Sequence, residues 1–328
     1  LNGQPARLPD LLQDPRCSAA LSDEGPLTVL RYTLPTEAVP AATPAAVSAP
    51  PAAGPVELLA GFIAAPAFSE QVCELTPEPE VKVRLVAPVP LAAPEVPIAL
   101  VLYALPNGNT TDQTVGRALQ PGDDWHFDIQ HIGAQTRFLR AQRPEHPLVV
   151  AYLEAAGRSW PAWRREHSAG SAPIPGLVDA VRQRLGDRPV RLTLSGHSGG
   201  GSFVFGYIEA VERIPDDVDR IAFLDSTYAY DSAKGHAAKL AAWLLASPRH
   251  ALCVIAYDDS VALYQGKPVV SATGGTWYRS HRLQEDLAQA FPFETHHDDA
   301  TERFSALDGR VQFILWKNPK RAILHTVL

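Results

Sequence analysis

The chain is 328 residues long, contains no methionine and has only three cysteines. Cys17, Cys73 and Cys253 leave one thiol over under any pairing, which excludes a disulfide-dense scaffold. Cys253 sits in the apolar run ALCVIAY and reads as a buried, inert thiol. A bridge between Cys17 and Cys73 would suit an oxidising compartment, although nothing in the sequence requires one. A chain that opens at Leu1 without an initiator methionine has the look of a trimmed one, so the expected location is secreted or periplasmic, with cytoplasmic as the alternative. No stretch is long and charge-free enough to span a bilayer. The net charge of −7 is mild and the basic residues are scattered, which argues against a nucleic-acid groove or an adhesive face for anionic lipid. The expected partner is a small molecule, and the sequence says nothing of oligomeric state.

What is present is organised unevenly. Residues 36–55 are nearly all alanine and proline, which fits an extended surface connector. It lies between two strand-like stretches, LTVLRYTL and VKVRLVAPV. The expected division is an N-terminal extension over 1–80, packed on the same domain, and a catalytic domain over 81–328. After residue 95, the apolar runs IALVLYALP, PLVVAYLEA, VRLTLSG, RIAFLD, ALCVIAY and VQFILW alternate with helical stretches near 124–141, 176–185, 202–213, 232–245 and 281–290. With the two earlier strands this predicts a mostly parallel eight-stranded α/β sheet with helices on both faces. Ligands of such sheets lie at the carboxyl ends of the strands.

One such end carries GHSGGG. Ser198 follows the strand VRLTLSG directly and precedes a helix beginning near Ser202, so it occupies a sharp strand-to-helix turn whose neighbours must be small. Gly196, Gly199, Gly200 and Gly201 meet that need. The pattern is G-x-S-x-G in the context that a nucleophile elbow demands, with the helix N-terminus aimed over the hydroxyl. Over about residues 80 to 328 the chain resembles the α/β-hydrolase superfamily, most specifically at this motif. The resemblance implies a serine, an acid and a histidine in that order along the chain.

It also places the histidine after the last strand, where His325 stands, with Ile323, Leu324 and Val327 available to dock the tail. His296 and His297 precede that strand in a polar stretch and read as solvated loop. Two positions compete for the acid. Asp225 ends the sixth strand and is preferred, because a semi-buried carboxylate there would need a partner. Asp259 or Asp258, after the seventh strand, is the alternative; an adjacent pair of like charges reads as solvated surface.

The oxyanion donors expected from the resemblance are the backbone N–H groups of Gly199 and, in Asn107-Gly108-Asn109, of Asn109. Trp160, Trp163, Trp277, Tyr278 and His197 are expected near the substrate, where aromatic side chains suit acyl chains or rings. Asp124, His126, Asp128 and His131 cluster along one helical stretch, but a polar helix face explains them without a metal. No metal and no cofactor is expected. The predicted function is a serine hydrolase that cleaves carboxylic esters through an acyl-enzyme. An amidase or peptidase with the same groups, or a hydrolase fold kept only for binding, is the alternative.

Overall fold

A strand with both faces covered has to be apolar throughout, and the runs picked out after residue 95 are strands of that kind. The computed structural model describes residues 18–24, 27–33, 57–78, 80–117, 121, 131–167 and 169–325. The chain divides into two units, Leu1–Glu57 and Leu58–Leu328. In the first, β1 (Ser18–Glu24) and β2 (Leu27–Thr33) pair antiparallel as a two-stranded sheet. The reading of LTVLRYTL as a strand of the large sheet is therefore corrected: it pairs with β1. The alanine-proline connector, Cys17, Asp124, His126 and Asp128 lie outside the described residues.

The second unit begins with β3 (Ile63–Ala65), β4 (Glu70–Glu78), β5 (Val81–Pro88) and β6 (Ile98–Ala104). Next come α1 (Thr111–Val115), α2 (Ile132–Gln142), β7 (Leu148–Ala155), α3 (Trp160–Glu166) and α4 (Ile174–Gln183). Then follow β8 (Val190–His197), α5 (Gly201–Ala210), β9 (Val218–Leu224), α6 (His236–Ala246) and β10 (Ala251–Tyr257). A small antiparallel pair, β11 (Leu263–Tyr264) and β12 (Lys267–Pro268), precedes α7 (Thr276–Leu287). The last strands are β13 (Glu294–His297), β14 (Thr301–Ala306) and β15 (Val311–Trp316).

The large sheet has eleven strands in the order β13-β14-β15-β10-β9-β8-β6-β7-β5-β4-β3. From β15 through β10, β9, β8 and β6 to β7 all neighbours are parallel. Antiparallel pairs extend it on both sides. It is thus a mixed sheet, larger than the eight mostly parallel strands expected. The additional strands, such as EQVCELTPE and ETHH, carry polar side chains that hide them from a search for apolar runs. Cys73 of β4 is a free, buried thiol; Cys253 of β10 is free and buried as expected, and desolvation pushes its thiol up to about 12.

Leu100, Leu102, Leu194, Val254 and Phe313 lie in the parallel strands with no exposed surface. The helix α4 buries Ile174, Leu177, Val178 and Val181, the spacing of one helical face. The helix α5 is apolar nearly all round and buries Phe203, Val204 and Phe205 completely. Trp160 and Trp163 of α3 are 1% and 3% exposed, so they are core residues and not the cleft walls expected of them. The Trp160 indole packs edge-on to Phe203 at 4.8 Å and donates to the Leu153 carbonyl at 3.1 Å. Burial gives the large apolar ring more than a place at a wet rim would.

Trp160→Ala should accordingly destabilise the protein by about 3–5 kcal/mol, read as a lower urea midpoint. Unchanged stability with a raised KM would return Trp160 to the cleft.

Candidate active site

Because the parallel strands share one direction, their carboxyl ends fall along one edge. In spatial order β6, β8, β9, β10 and β15 deliver there the loop of Asn107–Asn109, the turn of Ser198, Asp225, Asp258–Asp259, and the segment ending at His325.

The Ser198 turn is backbone-strained. Ser198 has φ +53°, a region that a residue with a Cβ seldom occupies, and it is half-buried at the start of a short 3-10 turn that runs into α5. The glycines permit close approach here. A Cβ on Gly201 would lie 1.8 Å from the Ser226 carbonyl oxygen, and one on Gly199 would lie 2.0 Å from Asn107 Oδ1. Ser226 also donates its hydroxyl to the Gly196 carbonyl at 2.8 Å, tying the end of β9 to the end of β8.

Asp225, fully buried and itself at φ +44°, donates its N–H to the Ile255 carbonyl at 2.7 Å. Its Oδ2 is hydrogen-bonded to His325 Nδ1. An ionised carboxylate only accepts, so Nδ1 carries the hydrogen and Nε2 is left as the basic nitrogen. The His325 segment is held from two other sides. His197 Nε2 donates to the His325 carbonyl at 2.7 Å, with the two rings 4.7 Å apart. Asn318 bonds the Ala322 carbonyl and N–H at 2.7 and 3.0 Å and the Asp258 carbonyl at 3.0 Å. Ile323 is 47% exposed, so polar contacts hold the segment where an apolar dock was expected, and Val327 lies outside the described residues. His197 is 7% exposed and braces His325; it is not open to a substrate as the sequence reading had it. Desolvation, with the neighbouring His325 second, pulls its imidazole down to about 3.

Asp258 and Asp259 part company. Asp258 accepts the Ser260 N–H at 3.1 Å and is half-buried. Asp259 is 1% exposed, contrary to its reading as solvated surface, because it turns inward to the amides that open α7. It accepts the Thr276 N–H at 2.8 Å and the Trp277 N–H at 3.3 Å. Thr276, which no sequence signal singled out, bonds Asp225 Oδ1 through its hydroxyl and has Asp259 Oδ2 at 3.3 Å. Thr227 fixes this corner by reaching the Thr276 carbonyl at 3.2 Å and Ser280 Oγ at 2.9 Å. Asp259 is pushed up to about 6, chiefly by desolvation and further by Asp225, with the Thr276 and Trp277 amides opposing.

On the other flank, the Asn109 N–H faces the Pro106 carbonyl at 3.4 Å within its own turn, which corrects the expectation that it points at a reacting oxygen. The Asn109 side chain is buried instead, and its Nδ2 has no hydrogen-bond partner among the described residues. A groove beside this loop is bordered by Lys82, Arg84, Thr110, Thr111, Asp112 and Glu154, and neither Ser198 nor His325 lines it. Trp277 is half-buried with its ring 4.6 Å from that of His281, and Tyr278 is exposed. His296 and His297 lie exposed on β13, a strand where a loop was expected. No group of three metal-ligating side chains is found among the described residues, and none of their helices is long and apolar enough to cross a membrane.

No family model and no curated protein matches the chain. Among solved structures it is similar to a thermostable esterase at 16% identity and TM-score 0.47, covering 79% of this chain and 58% of that one. It is also similar to a mutant feruloyl esterase module from Clostridium thermocellum in complex with sinapinate, at 10% identity and TM-score 0.46, covering 81% and 89%. A siderophore hydrolase from Aspergillus nidulans matches at 12% identity and TM-score 0.39, covering 81% and 93%. At these identities and TM-scores the likeness carries no argument about activity.

The position of Asp259 has a consequence for stability. Its folded value lies above the ordinary aspartate value of 3.8, so the native state keeps this proton longer than the unfolded chain does, and stability is lost as pH rises from about 4 to about 6. His197 works in the opposite sense, so the difference between wild type and Asp259→Asn is the quantity to follow. From chemical denaturation at a series of pH values, that difference should move in favour of the variant by about 2–3 kcal/mol over this window and stay flat above it. A difference independent of pH would refute the assignment.

Proposed function

We propose that the chain is a serine hydrolase of carboxylic esters, of the α/β-hydrolase kind. The observation that carries this reading is the hydrogen bond from His325 Nδ1 to the buried Asp225, formed beside the strained Ser198 turn and braced by His197, the residue next to that serine.

In this reading Asp225 keeps His325 in the tautomer whose free Nε2 can take a proton. His325 removes the Ser198 Oγ proton as the oxygen attacks the ester carbonyl carbon, and the carbonyl oxygen becomes an oxyanion. The Gly199 N–H at the start of the 3-10 turn is one donor to that oxygen; the Asn109 Nδ2 on the neighbouring loop, buried and without a partner among the described residues, would serve as a second once substrate uncovers it. Collapse breaks the bond to the alcohol, which leaves with the proton from His325. Water then gives its proton to His325, attacks the acyl carbon and frees the acid while Ser198 recovers its hydrogen. Every step uses groups of this chain and the substrate, with Asp225 ionised throughout.

A fluorophosphonate probe should label the wild type and not Ser198→Ala. On p-nitrophenyl acetate Asp225→Asn should lower kcat by about 10³–10⁴-fold, and matched p-nitroanilides should turn over far more slowly than the esters. Labelling of neither protein refutes the reading. Near-full turnover by Asp225→Asn, with loss in Asp259→Asn, would move the acid to Asp259.

A further inference from the structure

Two buried carboxylates meet the Thr276 hydroxyl where α7 begins, and the Tyr228 phenol is hydrogen-bonded to the same threonine side chain. Thr276 Oγ1 is hydrogen-bonded to Asp225 Oδ1 and stands 3.3 Å from Asp259 Oδ2. Asp225 and Asp259 are 0% and 1% exposed, and Thr276 is fully buried. A threonine hydroxyl has one hydrogen to give. With both acids ionised it can serve only one of them, and its lone pairs then face the second carboxylate in a dry site. A proton on Asp259 Oδ2 resolves the conflict, because Asp259 then donates to Thr276 Oγ1 and Thr276 donates to Asp225. The other oxygen of Asp225 already takes the His325 hydrogen.

We propose that Asp259 is a positioning residue for His325, acting through the Thr276 hydroxyl on Asp225, and that gain or loss of its proton changes how strongly Asp225 holds the imidazole. This rests on the serine-hydrolase reading above for its effect on turnover, though not for the proton itself.

The surroundings agree with a proton held there. The titratable groups facing Asp259 are Asp225 from the end of β9, Tyr228 from the turn after it and Tyr257 from the end of β10, all of them acids. From α7 the site receives the N–H groups of Thr276 and Trp277, which favour the carboxylate and oppose the proton without outweighing the desolvation. Desolvation dominates and keeps the proton into the weakly acidic range. Ionisation of Asp259 at higher pH adds a second negative charge near the Asp225–His325 pair. That charge favours the protonated imidazole, so the state of Asp259 alters the basicity of the pair in a way that mere packing could not.

Two measurements test this on the full chain. Carbon-13 NMR of aspartate-labelled protein should show one carboxyl signal, absent in Asp259→Asn, that titrates near pH 6. Its midpoint should fall by about half a unit or more in Thr276→Val, which cannot accept the proton's hydrogen bond, and be restored in Thr276→Ser. In the pH profile of kcat/KM for p-nitrophenyl acetate, Asp259→Asn should move the acid limb to lower pH, by about half a unit or more, and lower the plateau by about three- to tenfold. Thr276→Val should lower the plateau as well, and Thr276→Ser should recover most of it. An Asp259 signal that titrates at the ordinary aspartate position, or one indifferent to Thr276→Val, overturns the proposal. Titration as expected in a protein with no turnover and no fluorophosphonate labelling overturns the esterase reading and leaves the acid–hydroxyl–acid chain standing. Should Asp259→Asn fail to fold, the two Thr276 variants decide the question through the wild-type Asp259 signal.

Discussion

A carboxylate removed entirely from water must have its lone pairs met by the protein, and Asp225 is such a group. That requirement organises the whole carboxyl edge of the sheet. One oxygen is met by His325, which arrives on a segment from the far end of the parallel block, and the other by Thr276, which opens a helix. The backbone of Asp225 is itself forced to positive φ so that the side chain can turn inward at the end of its strand. Ser226 then anchors the neighbouring serine turn, so the acid and the strained serine stand on one connected piece of backbone.

Topology makes this cheap to arrange. Strands β8, β9, β10 and β15 are successive parallel neighbours, so their carboxyl ends are brought to a common edge. Two adjacent strands each supply a buried acid there, and the start of α7 separates them with a single hydroxyl and two amides. The serine-bearing turn lies between the loop of Asn107 on one side and Ser226 on the other, and at position 201 the Ser226 backbone comes so close that glycine alone fits.

What the sequence revealed follows from which faces of each element are covered. Strands β6 to β10 and β15 were legible because both their faces are buried, which leaves an apolar run. Strands β13 and β14 were not, since ETHH is polar throughout at the sheet's edge and TERFSA mixes charge with apolar residues, as β4 does. At the site, Ser198, Asp225 and His325 could be found because each follows an apolar strand and its chemistry has few substitutes. Thr276 could not, as the helical pattern in the sequence begins only near His281 and an ordinary threonine carries no mark of its neighbours. The pair Asp258–Asp259 misled because adjacent side chains can point to opposite sides, one to solvent and one to the core. Trp160, Trp163 and His197 misled for another reason: position along the chain located them near the site, whereas burial, which decides their role, depends on what packs over them. Asn318 carried a faint signal, an asparagine two residues after a strand in WKNP, where a left-handed residue is often needed to turn the chain.

The sheet ends in short strands at both margins, β3 with three residues and β13 with four. Exposed strand edges are templates on which other chains can pair. The β13 margin is exposed at every position and carries a glutamate and two histidines, while the β3 margin runs at once into Pro66, which has no amide hydrogen to offer. A protein so bounded gives an incoming strand little length to grip. Resistance to fibre-like association at high concentration is thereby built into the rim of the sheet, far from any chemistry at its carboxyl edge.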